Sequence, residues 1–169
     1  MIISQEQTEI NAALELIAKS ELKRIRLRKC NCTLEGEENR LKLPFGLAKS
    51  HNSTASALID QVLTVEVAFR FQGFDSSEQK ASLFSIDCSF ELDYEVQAGY
   101  FPAPEAINSF KDGNAVFNCW AYAREFVQSM AGRMALQPPP LPLLRILPKV
   151  APRAAERPTA SNVEEVQPA

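Results

Sequence analysis

Between Ala115 and Met134 the apolar residues Val116, Cys119, Trp120, Ala123, Phe126, Val127, Met130 and Met134 recur at helical spacing, with Asn118, Arg124, Glu125, Gln128 and Ser129 opposite. This pattern predicts one long amphipathic helix, begun by Asn114 as N-cap after an Asp112-Gly113-Asn114 turn and stopped by the prolines beyond it. Phe117, Ala121 and Tyr122 interrupt its polar face, as either ordinary partial exposure or a neighbouring subunit or ligand would produce. Near the start of the chain, Ser4 and Gln7 form a capping-box pair. Ile10, Ala13, Leu14 and Ile17 then predict a short helix that ends near Lys19.

Elsewhere the period is two. From Glu21 to Leu34, Arg24, Arg26 and Arg28 alternate with Ile25 and Leu27 until Cys30, Cys32 and Leu34 reverse the phase, which predicts a strand with a bulge. Arg40 to Lys49 reads as a weak edge strand interrupted by Pro44 and Gly46, followed by a polar loop from Ser50 to Ala57. Asp60 to Phe74 and Ser82 to Val96 are the clearest strands, and the turn residues between them predict an antiparallel hairpin. Glu105 to Lys111 predicts a short helical turn leading into the long helix.

Charge orders these strands. The Arg24, Arg26 and Arg28 face complements Asp87, Glu91, Asp93 and Glu95, so the first predicted strand is expected beside the fourth. The fold class that follows is α+β: a four-stranded antiparallel sheet of order 2-3-4-1, with a crossover between strands 1 and 2, packed on the long C-terminal helix. Residues 1–148 are expected to form one domain. Residues 149–169 are expected to form a disordered tail of Ala, Pro, Glu, Arg and Val without apolar periodicity.

Composition narrows the function. A net charge of -3 gives no overall attraction to nucleic acid or to an anionic membrane, and the arginine run has no interleaved aromatics. Glu6, Glu9 and Glu15 stand where a signal peptide needs a basic start and an unbroken apolar run. A cytoplasmic protein with four reduced cysteines is therefore expected. Cys30 and Cys32 share a strand face, but a metal would need His51 or the other cysteines to converge on them, so no metal or cofactor is expected. With a single histidine, no phosphate-binding glycine loop, no H-E-x-x-H and no G-x-S-x-G, the chain does not read as an enzyme.

The run from Tyr122 to Glu125, the Ser129 to Arg133 stretch and the proline- and leucine-rich segment from Gln137 to Ile146 resemble the main helix and following segment of SecB and the shorter SecB-like chaperones. Ala121 stands where that family usually has proline. The resemblance implies the same sheet order and an ATP-independent holdase assembled as a homotetramer, a dimer of dimers. Its partners would be unfolded preproteins or an antitoxin, with SecA a further one. The tail departs from the acidic SecA-docking end of well-studied members, having three basic and three acidic residues. Apolar grooves for clients are expected at Leu43, Phe45 and Leu47, and at Leu141, Leu143, Leu144 and Ile146. The alternative is a lipid- or small-molecule-binding module, because a long sheet wrapped on one helix can enclose a pocket.

Overall fold

The computed structural model describes residues 2–5, 7–35, 45–55, 58–75, 82–136 and 141–148. The predicted tail from 149 onward lies outside them, as do Arg40–Pro44 of the weak strand and Pro138–Pro140. The elements run β1 (Ile2–Gln5), α1 (Gln7–Ala18), β2 (Ser20–Leu34), β3 (Phe45–Ala55), β4 (Val62–Asp75), β5 (Ser82–Val96), α2 (Pro104–Phe110), a π turn (Lys111–Ala115), α3 (Val116–Arg133) and β6 (Arg145–Pro148).

The main sheet is antiparallel with order β2-β5-β4-β3, which is the predicted order 2-3-4-1 read from the other edge. Charge is visible in the register. Arg24 lies opposite Asp93 and donates to its Oδ2 through Nε at 2.7 Å; Arg26 bonds Glu91, and Arg28 Nε lies 3.2 Å from the same carboxylate. Register shifts after Leu22 and after Leu27 mark bulges at Lys23 and Arg28, and the second of these turns Cys30, Cys32 and Leu34 to the helix side. The β2 guanidiniums lie over Asp93 and Glu91, so Asp93 is only 9% exposed and β5 is buried along most of both faces.

On the other face, Leu63, Val65, Val67 and Phe71 of β4 and Phe84, Ile86 and Leu92 of β5 pack beneath Val116, Cys119, Trp120, Ala123 and Val127 of α3. Tyr94 meets Phe110 edge-on at 4.8 Å, and its hydroxyl accepts from Asn118 at 3.1 Å. Burial pushes that phenol up to about 12.

Four expectations are corrected. Asn114 is not an N-cap: α2, the π turn and α3 form one helical run, with helical backbone at Phe110 and Ala115. The inserted turn buries Gly113 and places Asp112 where the Ser53 hydroxyl donates to it, so a turn-forming triplet is held helical by tertiary contact. Ser4 does not cap a helix, because it lies in β1, which pairs in parallel with β6. The polar segment from His51 to Ala55 is strand, not loop. An edge strand needs only its backbone for the ladder, and Asn52 and Ser53 pair with Ala68 and Val67. Finally, α1 buries Ala13 and Leu16, leaving Leu14 52% exposed. With apolar residues around most of that helix, packing against α2 rather than periodicity selects the face.

Candidate binding surfaces

The proline–leucine segment is a strap tied at two points. Trp120 packs against Phe69 and Phe71, with ring centroids 5.7 and 6.1 Å away, and a buried indole N–H needs an acceptor. It finds one in the Pro142 carbonyl at 2.9 Å. Three residues on, β6 joins β1, so the two ends of the described chain meet. Leu141 and Leu144 are thereby spent on the core, whereas Leu143 is 68% exposed and Ile146 half-buried. Leu47 of β3 is half-buried against the same core. Phe45 opens β3, its side chain outside the described residues, and Leu43 lies outside them altogether.

A second apolar surface was not singled out from the sequence. Along the helix side of β2, Leu27 is 44% and Leu34 46% exposed, with exposed Cys30 and Cys32 between them. Their register partners Phe90, Phe84, Cys88 and Ile86 on β5 are all buried, so exposure rises sharply from one strand to the next. Phe126 of α3 stands edge-on over Phe90 at 6.3 Å and forms the wall of this shelf. Among the described residues β2 pairs only with β5, so its outer edge carries backbone groups with no strand partner there. The phase reversal at Arg28 was the available signal: it turns three residues toward a helix too short in width to cover an edge strand. Farther round α3, Phe117 and Tyr122 are each about half exposed.

The outer face of the sheet holds a concavity of about 780 Å³ where small Ala68 and Ser89 are framed by Lys29, Asn31, Asn52 and Arg70. Arg70 is held to Asp87 at 2.6 Å, which raises its already high pKa. The Ser89 hydroxyl is buried and has no hydrogen-bond partner among the described residues. His51, on the helix side of β3, lies 6.4 Å from the Phe69 ring, and burial lowers its pKa despite the nearby Asp112 carboxylate. Among the described residues, no group of three His, Cys, Asp or Glu is placed to hold a metal ion, and no helix is long and apolar enough to cross a membrane.

No family model matches the chain, and no curated protein matches it. Solved structures do. The chain is similar to a SecB-like chaperone of Mycobacterium tuberculosis, solved in complex with a ChAD peptide from the HigA1 antitoxin. The TM-score is 0.65 at 18% identity, over 81% of this chain and 99% of that one. A Streptococcus agalactiae protein of unknown function matches at a TM-score of 0.40 and 8% identity, over 71% of this chain and 93% of that one. The first match shows that the chain has the SecB-like fold.

Proposed function

We propose that this protein is a SecB-like, ATP-independent holdase of the cytoplasm that binds non-native polypeptides for export or for a dedicated partner such as an antitoxin. The observation that carries this reading is the apolar shelf of β2, where Leu27 and Leu34 stand exposed beside a strand edge unpaired among the described residues, on a SecB-like fold. An unfolded chain offers extended backbone and scattered apolar side chains. The shelf meets both needs, through main-chain pairing along the edge and side-chain burial beside it. The exposed Leu143 and half-buried Ile146 of the strap add apolar surface of the same kind.

Holding requires no chemistry. Binding the unfolded state lowers the concentration free to aggregate. Each large apolar side chain buried against a client contributes roughly 1 to 3 kcal/mol, so useful affinity needs several such contacts and tolerates many sequences. The antitoxin peptide carried by the M. tuberculosis structure supports an antitoxin as one partner class, with unfolded preproteins and SecA the corresponding partners in export. Assembly as a homotetramer fits the exposure of Phe117 and Tyr122 on the outside of α3. The test is suppression of aggregation of a chemically unfolded client by wild type and by Leu27→Ser/Leu34→Ser.

One observation favours a second reading, that of a small-molecule-binding module. The buried Ser89 hydroxyl, with no hydrogen-bond partner among the described residues, faces a concavity of about 780 Å³. That concavity lies on the polar face of the sheet, opposite the face that packs on α3. The residues framing it are polar and charged, so the ligand of this reading is small and polar.

A further inference from the structure

The chain's four cysteines, scattered over three elements, lie together on the helix side of the sheet. Cys30 and Cys88 are direct cross-strand partners on β2 and β5, Cys32 follows on the same face, and Cys119 approaches Cys88 from α3. Exposure divides them sharply: Cys88 and Cys119 are buried, Cys30 and Cys32 exposed. We infer that Cys30 and Cys88 form a thiol–disulfide site, in which the exposed Cys30 reacts with a low-molecular-weight disulfide and the buried Cys88 resolves the adduct into a cross-strand bridge.

Geometry selects this pair. Directly opposed residues in an antiparallel ladder have Cα atoms about 4.5 to 5.5 Å apart, inside the range of about 4.4 to 6.8 Å that a disulfide spans. Cys30 and Cys32 are separated by two strand rises, about 6.7 Å, at the far limit of that range. Cys88 and Cys119 are both shielded from any dissolved oxidant, so neither can start the reaction.

In the first step the Cys30 thiolate attacks one sulfur of a small disulfide. It forms a protein mixed disulfide and releases one small thiolate. In the second, Cys88 loses its proton to water, attacks the Cys30 sulfur and expels the other small thiolate. Two protein thiols become one disulfide while the small disulfide is reduced to two thiols. Burial raises the Cys88 thiol to about 12, so the second step is slow at neutral pH and accelerates as pH rises. The product would fasten the open edge strand carrying Leu27 and Leu34 to the centre of the sheet.

The experiment treats full-length protein with excess oxidised glutathione at pH 8, followed by intact mass measurement and non-reducing peptide mapping. Wild type should yield a Cys30–Cys88 linked peptide pair, two hydrogens lighter than the free pair and without glutathione on Cys30. Cys88→Ser should stop at glutathione on Cys30. Cys32→Ser, a change at an exposed edge position, should still form the bridge and keeps the test decisive should Cys88→Ser fail to fold. Persistent glutathione on Cys30 in the wild type, a Cys30–Cys32 linkage, or no reaction at Cys30 would each overturn the proposal.

Discussion

The Trp120 indole N–H donates to the Pro142 carbonyl oxygen at 2.9 Å, and this bond joins the long helix to the strap that brings the end of the described chain back to β1. Trp120→Phe keeps most of the aromatic packing against Phe69 and Phe71 but leaves that carbonyl without its donor. The expected loss is about 1 to 3 kcal/mol in chemical denaturation, with proteolysis appearing first within the strap.

Asp93 accepts from Arg24 and from Thr64 Oγ1 at 2.9 Å. Burial alone would raise its pKa, but the hydrogen bonds from Thr64 and Arg24 and the nearby arginine charges leave it lowered. A carboxylate whose folded pKa lies below its unfolded value stabilises the fold above the unfolded value, and loses that contribution as pH falls through the folded one. Stability should therefore decline as the medium is acidified below about pH 4. Asp93→Asn should flatten that decline while costing about 1 to 3 kcal/mol at neutral pH, read from denaturation midpoints across pH.

Helix α3 stops before the prolines. Leu136 N–H bonds Ala131 O at 2.9 Å and Ala135 N–H bonds Gly132 O at 3.1 Å, which closes a Schellman motif with Ala135 at a φ of 55°. Glycine is the residue that occupies this conformation without strain. Ala135→Gly is expected to raise stability by about 0.5 to 1 kcal/mol, measured as a higher melting temperature.

Phe117 and Tyr122 are each about half exposed on the outside of α3. If copies of the chain meet there, Phe117→Asp/Tyr122→Asp should convert a tetramer in native mass measurement to smaller species while the circular dichroism spectrum stays unchanged.

The sheet was legible because two independent signals agree. Period-two alternation marks β4 and β5, and the arginines of β2 meet Asp93 and Glu91 on β5. The bulge at Arg28 was readable as a phase reversal, yet its consequence was not: whether Cys30 and Leu34 end up covered depends on how far α3 reaches across the sheet. Pairing of β1 with β6 left no sequence trace, since four-residue strands joined from opposite ends of the chain show no usable period. Of the apolar residues singled out in the strap, Leu141 and Leu144 look the same in sequence as Leu143. Only the anchoring of the strap at Trp120 decides that the first two are core and the third exposed.

The β2 shelf is the proposed surface for non-native chains, and light scattering of a chemically unfolded client diluted into buffer with this protein measures its action most directly. Wild type should suppress aggregation without nucleotide. Leu27→Ser/Leu34→Ser should retain the wild-type melting temperature to within a few degrees, because both side chains are already about half exposed, yet protect the client several-fold less. Undiminished protection by a folded, assembled double variant would contradict the assignment of the shelf, and absence of any protection by wild type would contradict the chaperone reading itself.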